Sequence, residues 1–277
     1  MKKLAVLLAA VTTMALALTG CGGNSNSSSS AAGSSNTSSA ASDSTASATP
    51  TIDAIKGKGK LVMLTEATFA PFEYIENGKV VGADVDIAQE FANDLGVELE
   101  VVDMNFDLLI DAVNAGKGDF AAAGMTVEPD RSKQVDFTTK YVKSAQHVII
   151  KKGSGVTADN LDGLVIAVQE STSGDFYATD EINAKEVLRF KSAVEAGSAL
   201  KSGKCDAVII DELPAKAIAD KSNGELEVLE DKLTDEEYAI ACKKGNTDLV
   251  EAFNKTLERL MNEGKIDEYV QNHMKVE

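Results

Sequence analysis

The sequence predicts an α/β protein built from mostly parallel sheets flanked by helices. Apolar segments typical of strands alternate with amphipathic helical segments from residue 60 to residue 230. The alternation restarts near residue 164. The phrase Gly-Lys-x-Asp also occurs twice, at 116–119 and 203–206, each time between a helical segment and a strand segment.

The first half of the pattern contains a helix whose apolar side chains recur on one face. An Asp is expected to cap this helix and Gly96 to end it. The expected elements of this half are the strand 60–65, the helix 84–96, the strand 97–102, the helix 106–116 and the short strand 119–124.

The second half repeats the alternation and ends in a long amphipathic helix. Its expected elements are the strand 164–168, the helix 192–203, the strand 205–211, the helix 212–222, the strand 226–230 and the helix 247–264. If the two Gly-Lys-x-Asp segments are equivalent, Gly124 and Asp211 mark the carboxyl ends of equivalent strands, where open α/β sheets bind ligands. The alternative is that the phrase is a common way to end a helix before a strand.

Composition and charge exclude several classes of function. The 277 residues are 44% hydrophobic, enough for one or two domains with sizeable cores. The formal net charge is −17 and no stripe rich in Lys and Arg is present, so a nucleic acid partner is not expected. The two histidines lie far apart in the sequence, so neither a metal site nor a cofactor is expected.

The first fifty residues predict an export signal followed by a tether. Residues 1–20 have two lysines before a short apolar run, as signal peptides do, and Leu18-Thr19-Gly20-Cys21 resembles a bacterial lipobox. Such signals imply lipidation of Cys21 and an anchor on the extracytoplasmic face of the membrane. The long serine-rich segment after Cys21 favours a Gram-positive surface. The alternative is an ordinary secretory signal with a chance cysteine. The Ser- and Ala-rich segment 21–50 that begins with this cysteine is expected to be a flexible linker.

Two other features leave alternatives open. Arg131 is one of only three arginines and lies in "GMTVEPDRSKQVDFT" (124–138). It is either a solvated charge at a helix end or a group that grips a ligand. Cys205 and Cys242 each lie at the edge of an apolar run, and are either small buried side chains or a disulfide.

Five motifs together resemble the extracytoplasmic amino-acid-binding proteins of ABC importers, over about residues 52–277. They are "TFAPFEY" (68–74), "VVGADVDIAQEFA" (80–92), "GMTVEPDRSKQVDFT" (124–138), "VQESTSGD" (168–175) and "CDAVIIDE" (205–212). The resemblance implies a two-lobe fold like that of periplasmic binding proteins. Lobe 1 would be 51–143 plus 239–277 and lobe 2 would be 144–238, joined by hinge strands near 141–145 and 234–238.

The resemblance also implies how a zwitterion is bound. Arg131 would hold the ligand carboxylate with its planar fork, and Asp211 would hold the ammonium group, although Asp211 could instead cap the following helix. Phe69 and Phe106 would form aromatic walls, or else pack in the core. The other implied ligand-binding residues are Glu66, Ala123, Gly124, Thr126, Gln169, Ser171 and Thr172. The family often has Gly-Thr-Thr-Gly where this chain has Ser171-Thr172-Ser173-Gly174.

The function implied is capture of a polar neutral or basic L-amino acid and its delivery to a membrane permease. A carboxylate at Glu66, near the distal end of the ligand, disfavours acidic ligands. The expected protein is a monomer and not an enzyme. The alternatives are an amino acid sensor, or an enzyme like cyclohexadienyl dehydratase on the same fold, for which Glu66 is a possible acid and His147 the only histidine near a motif.

Overall fold

The structure is a computed structural model that describes residues 50–274. The predicted signal peptide, Cys21 and the predicted linker up to residue 49 lie outside the described residues, as do 275–277. Within the part that is described, no helix is both long enough and apolar enough to cross a bilayer.

Short helices and strands alternate along the chain. The helices are α1 (Pro50–Lys58), α2 (Ala83–Leu95), α3 (Leu109–Asn114), α4 (Pro129–Gln134), α5 (Ser173–Asp180), α6 (Ala193–Lys201), α7 (Glu212–Asp220), α8 (Thr247–Asn262) and α9 (Lys265–Met274), with 3-10 turns at Phe106–Leu108 and Ala158–Asn160. The strands are β1 (Lys60–Thr65), β2 (Thr68–Phe69), β3 (Glu73–Glu76), β4 (Lys79–Val81), β5 (Glu98–Asp103), β6 (Phe120–Ala121), β7 (Val135–Phe137), β8 (Val142–Ser144), β9 (Gln146–Lys151), β10 (Val165–Gln169), β11 (Glu186–Phe190), β12 (Ala207–Asp211), β13 (Leu226–Val228), β14 (Glu236–Tyr238) and β15 (Ala241–Lys243).

Two five-stranded sheets share one topology. The first has the order β5-β1-β6-β15-β7 and the second has the order β11-β10-β12-β9-β13. In each sheet only the fourth strand, β15 or β9, runs against its neighbours, so the other four strands point the same way. The predicted α/β fold with mostly parallel sheets is confirmed. The prediction placed neither antiparallel strand.

The repeated Gly-Lys-x-Asp phrase has the same structural role in both sheets. It precedes the central strands β6 and β12. The amide of Asp119 donates to the Val62 carbonyl at 2.8 Å, and its carboxylate accepts from the Val62 amide at 2.7 Å. The same pair of bonds joins Asp206 to Val165, at 2.8 and 2.9 Å. Each Asp therefore fixes the start of the central strand against its neighbour, which supports the equivalence inferred from the repeat.

The chain passes between the two sheets along two paired strands. β8 follows the first sheet and leads to β9, while β14 follows β13 and leads to β15. β8 and β14 pair antiparallel, with Val142 opposite Tyr238 and Ser144 opposite Glu236. This pair lies where the sequence predicted the hinges. The exact limits of the two lobes stay a prediction.

The start of α2 and the C-terminal helical segment both differ from the prediction. The N-cap of α2 is Gly82, and no side chain caps this helix, so the predicted Asp cap is wrong. Gly82 has φ 141° and a Cβ there would lie 2.0 Å from the Phe72 carbonyl oxygen, which leaves no room for another residue. The predicted C-terminal helix is divided, because α8 ends at Asn262 and α9 starts at Lys265.

The core of the first sheet is closed by aromatic packing. Phe91 of α2 stacks on Phe253 of α8 with ring centroids 3.6 Å apart, and Phe120 of β6 packs edge-on against Phe253 at 4.8 Å. All three side chains are fully buried. A small sheet of β2, β3 and β4, which the sequence analysis did not predict, extends from β1 and carries Phe69 towards the end of β6.

Candidate functional site

Ten residues surround a small cavity near the carboxyl ends of β6 and β12. The cavity measures about 20 Å³, which is room for about one water molecule. Nine of the eleven predicted ligand-binding residues line it, and Ser173 is an addition. The lining residues are Phe69, Phe106, Ala123, Gly124, Thr126, Arg131, Gln169, Thr172, Ser173 and Asp211. The remaining two predicted residues, Glu66 and Ser171, hydrogen-bond to lining residues instead.

Arg131, on the short helix α4, is only 5% exposed. Its Nη1 donates to the carbonyl of Thr126 and its Nη2 donates to the carbonyl of Ser171, both at 2.9 Å. The guanidinium carbon lies 5.3 Å from the centroid of Phe106 and 5.7 Å from that of Phe176. Burial lowers the pKa of Arg131, although a guanidinium stays charged at neutral pH.

The three arginines of the chain differ in their partners. Arg189 makes an ion pair with Asp175 at 2.9 Å, and Arg259 makes one with Asp94 at 3.0 Å. Among residues 51–274, Arg131 has no such carboxylate partner and bonds only to carbonyls. A solvated surface arginine is therefore excluded by its burial. A buried cation without an anion is costly, so this position is suited to an incoming anion.

Asp211, the last residue of β12, is the buried carboxylate of the cavity. Tyr238 Oη donates to its Oδ1 at 2.6 Å and Gln146 Nε2 donates to its Oδ2 at 2.7 Å. Its side chain does not cap α7, although the residue occupies the N-cap position. Burial raises the pKa of Asp211 to about 6, while the two donors oppose that increase. A cation beside this carboxylate would favour its ionised form.

Gly124 allows an aromatic ring to approach the loop that follows β6. A Cβ at this position would lie 2.6 Å from Cε1 of Phe69, and φ is 53°. The Gly124 amide donates to Asp84 Oδ2 at 3.0 Å, and Tyr141 Oη donates to Asp84 Oδ1 at 2.6 Å. The buried Asp84 therefore fixes the loop from behind. The close approach of the Phe69 ring explains why position 124 is a glycine.

Glu66 and Gln169 form a polar contact between the two sheets. Gln169 Nε2 donates to Glu66 Oε2 at 3.2 Å, and Thr68 Oγ1 lies 2.9 Å from each Glu66 oxygen. Glu66 follows β1 of the first sheet, whereas Gln169 ends β10 of the second. Burial raises the pKa of Glu66, so a neighbouring cation or donor would stabilise its charged form.

Ser171 has a left-handed backbone conformation, with φ 65°. Its amide donates to Asp175 Oδ2 at 3.0 Å, and its carbonyl accepts from Arg131. A serine strains this conformation, which glycine adopts freely. Serine at position 171, where the family often has glycine, therefore lowers the stability of the fold at the residue whose carbonyl binds Arg131.

Replacing Ser171 by glycine tests this strain. We expect Ser171→Gly to raise the free energy of unfolding by about 1 kcal/mol, because relief of the left-handed strain outweighs the extra freedom of glycine in the unfolded chain. Ser173→Gly is the matched control. It lies in the first turn of α5 with ordinary helical geometry, so it should lower that free energy by about 0.5–1 kcal/mol. Urea unfolding measures both, and equal destabilisation by the two variants would contradict the strain.

Several residues of this region could not be predicted from the sequence. Ser173 lines the cavity and Phe176 packs on Arg131, and both belong to α5, which has few apolar residues to reveal it as a helix. Tyr238 and Gln146 bond to Asp211 from strands far away in sequence. A lone Tyr or Gln gives no sequence signal of such a role.

Other candidate features lie apart from this cluster. A larger cavity of about 460 Å³ opens between the β2–β3 segment and helices α6 and α7. We assign the site to the smaller one, because only there do buried opposite charges converge. His147 does not line that cavity, and its Nδ1 is 2.9 Å from the Leu229 carbonyl. Within the described residues no cluster of three or more His, Cys, Asp or Glu could hold a metal ion.

The two cysteines of the described region are buried and free, so the disulfide alternative is wrong. Burial raises the pKa of the Cys205 thiol to about 11, and it also raises that of Cys242. Both thiols are therefore protonated at neutral pH and behave as small apolar side chains.

Two α/β lobes joined by a pair of strands, with buried charges between them, define the class of type II periplasmic binding proteins. The chain belongs to the family of bacterial extracellular solute-binding proteins, family 3, whose model matches residues 61–276.

Named relatives agree with this membership. The arginine-binding extracellular protein ArtP of Bacillus subtilis is 32% identical over 219 residues, 76% of this chain and 84% of ArtP. The glutamine-binding protein GlnH of the same organism is 32% identical over 237 residues, 83% of this chain and 86% of GlnH. A crystal structure of AbpA from Streptococcus pneumoniae bound to L-arginine is 34% identical, covers 80% of this chain and 98% of AbpA, and has a TM-score of 0.76. These relatives are named as binding proteins rather than enzymes.

Proposed function

We propose that this protein captures a polar neutral or basic L-amino acid between its two lobes and delivers it to the permease of an ABC importer. One observation carries the proposal. Arg131 is a buried cation that has no carboxylate partner among the described residues, and it lines the same cavity as the buried carboxylate Asp211. An amino acid supplies both missing charges, since its carboxylate would pair with Arg131 and its ammonium with Asp211.

The neighbours of these two residues suit the same ligand. Two of the five N–H donors of Arg131 go to carbonyls, which leaves three for a carboxylate. Each oxygen of Asp211 has accepted one hydrogen bond and has capacity for another. The hydroxyl groups of Thr126 and Thr172 and the start of α5 add polar contacts around the backbone of the ligand. Phe69 and Phe106 would enclose its side chain.

L-Arginine is the first candidate ligand. Glu66 with Gln169 offers a carboxylate and an amide for a distal guanidinium, whereas an acidic ligand would meet like charge at Glu66. Two of the named relatives bind arginine, and a third binds glutamine. Glutamine would suit the same pair less well, because its amide carries no positive charge.

Entry of the ligand requires the lobes to separate. A cavity of about 20 Å³ has no room for an amino acid. Contacts between the lobes include Arg131 with Ser171, Glu66 with Gln169, and Lys191 with Asp107 at 3.0 Å. Opening about the β8–β14 pair would break these contacts, and closing around a ligand would restore them or replace them with contacts to the ligand.

The decisive experiment is a thermal-shift panel of the L-amino acids together with ornithine and cystine. A ligand that binds only the folded protein adds about 2.7 kcal/mol of stability at 100 times its dissociation constant. We expect the largest shift with arginine and none with aspartate or glutamate. A panel without any positive shift, or with the largest shift from an acidic amino acid, would sink the proposal.

The membrane anchor is a separate part of the proposal, because Cys21 lies outside the described residues. Acyl chains on this cysteine would be what holds the protein at the extracytoplasmic face. We therefore expect Cys21→Ser to release the protein from the membrane fraction, as seen by fractionation and immunoblotting. Cys205→Ser is the matched control and should leave the protein membrane-bound. Retention of the Cys21 variant in the membrane would exclude the anchor.

A further inference from the structure

Tyr238 connects the buried carboxylate Asp211 to both strands that join the lobes. Its side chain is fully buried, and its Oη donates to Asp211 Oδ1 at 2.6 Å. The same oxygen lies 3.1 Å from Ser144 Oγ, which can donate to it. Tyr238 ends β14 and Ser144 ends β8, so this chain of hydrogen bonds runs from the joining strands to Asp211 at the end of β12.

The tyrosine ring is fixed from the side of the first sheet. It packs edge-on against Phe72, with ring centroids 5.1 Å apart. The ring also packs next to Gly124, because a Cβ atom on Gly124 would lie 3.5 Å from Cε2 of Tyr238. The Tyr238 carbonyl accepts from the Tyr141 amide at 2.9 Å. A hydroxyl held in this way has one position, and a carboxylate bonded to it takes a defined orientation.

The charges around Asp211 show why a donor matters there. Burial is the main reason that its pKa is raised, and Glu236 on β14 raises it further. The negative charge of Asp211 in turn helps to raise the pKa of the buried Glu73 carboxyl group, on β3, and it attracts Arg131 on α4. Tyr238 and Gln146 are the side chains that donate to its two oxygens and stabilise the ionised form.

We propose that Tyr238 is a positioning residue for the ammonium site, which orients Asp211, holds it ionised and connects it to the hinge. This inference rests on the proposed function, because it assigns the ammonium group to Asp211. The affinity for an amino acid then depends on a hydroxyl group that lies behind the Asp211 carboxylate. Tyr238 is not one of the residues that line the cavity.

Tyr238→Phe removes this hydroxyl and keeps the ring. Titration calorimetry with L-arginine on the full-length protein between pH 5 and pH 8.5 gives the test. The wild-type affinity should fall as the pH drops below about 6, because protonated Asp211 cannot pair with an ammonium group. Loss of a donor to the charged form should move this midpoint up by about one unit. The variant should then bind roughly fivefold more weakly at pH 6 and less than about twofold more weakly at pH 8.5.

Tyr141→Phe is the matched control. Tyr141 is also buried, precedes β8 by one residue, and donates at 2.6 Å to a different carboxylate, Asp84. The midpoint that Asp211 sets should not move in this variant, whatever affinity is lost through the contact of Asp84 with the Gly124 amide. A loss of affinity without a shifted midpoint in Tyr238→Phe, or no loss, would overturn the positioning role.

A second measurement does not depend on ligand binding. The pKa of Asp211 in the unliganded protein can be followed by the chemical shift of its carboxyl carbon, and it should rise in Tyr238→Phe. Should that variant not fold, Ser144→Ala should move the pKa in the same direction by less. An unmoved pKa would refute the inference even if arginine binds. Conversely, a protein that binds no amino acid but shows the shift would refute only the proposed function.

Discussion

Arg131→Ala is expected to weaken L-arginine binding by some thirtyfold to a few thousandfold. Removing one member of a buried charge pair costs about 2–5 kcal/mol, because the ligand carboxylate is then buried without a partner. At roughly 1.4 kcal/mol per decade, that cost gives this range of dissociation constants, which calorimetry would measure. Arg131 is held ready for this role by two carbonyl bonds and two aromatic rings, so little side-chain entropy is lost on binding.

Two further substitutions separate charge from geometry. Arg131→Lys keeps the charge but loses the planar fork, so its affinity should lie between those of wild type and Arg131→Ala. Arg259→Ala removes an arginine that is bound to Glu90 and Asp94 on the outer surface. That control should change affinity by less than about threefold, since exposed ion pairs contribute little. A similarly small effect of Arg131→Ala would end the assignment of Arg131 to the carboxylate.

A ligand without a carboxylate tests directly whether Arg131 contacts the carboxylate of the amino acid. Decarboxylated arginine should bind the wild-type protein poorly, yet it should lose little further affinity in Arg131→Ala, because the partner charge is already missing. The two losses are then non-additive, as expected for groups in contact. Additive losses would show that Arg131 does not touch the carboxylate.

The elements that the sequence predicted well are those with a local signal. β1, β10 and β12 are short apolar runs whose side chains are mostly buried, and α6 starts directly after Ser192, the first residue of the predicted helix 192–203. β9 was not placed although its buried run QHVIIK is a local strand signal. β15 was not placed because its position depends on pairing with distant segments. Ala241 pairs with Ala121, for example, and a three-residue strand has no periodicity of its own.

The site residues that could be predicted from the sequence are those that lie in a motif shared with the family and have a side chain suited to the ligand. Arg131 and Asp211 lie in motifs that the resemblance recognises. Gly124 was predicted to end the equivalent strand, but β6 ends at Ala121 and Gly124 lies in the loop that follows it. Tyr238 and Gln146 could not be found in this way, because their bonds to Asp211 form across 27 and 65 residues of sequence. Nor does the sequence indicate that Asp84 bonds the Gly124 amide, since an Asp at a helix start more often caps the helix.

Asp211→Asn should change binding and stability in opposite directions. The substitution removes the proposed partner of the ligand ammonium, so we expect affinity for L-arginine to fall by some thirtyfold to a few thousandfold, as for Arg131. Stability without ligand should instead rise at neutral pH, because asparagine carries no buried charge. Part of the gain is offset, since the new amide must share hydrogen bonds with Gln146, whose own amide would have to turn.

The pH dependence of this gain follows from the pKa of Asp211, which rises on folding from an ordinary 3.8 to about 6. The stability that Asp211 contributes is therefore fully present below pH 3.8 and is lost as the pH rises through about 6. Above that pH the ionised carboxylate costs up to about 3 kcal/mol, at 1.36 kcal/mol per unit of pKa. Urea unfolding of the unliganded proteins should show Asp211→Asn more stable at pH 7.5 and no more stable at pH 4. A variant that is less stable at both pH values would mean that the Asp211 carboxylate stabilises the unliganded fold, which would contradict the prediction.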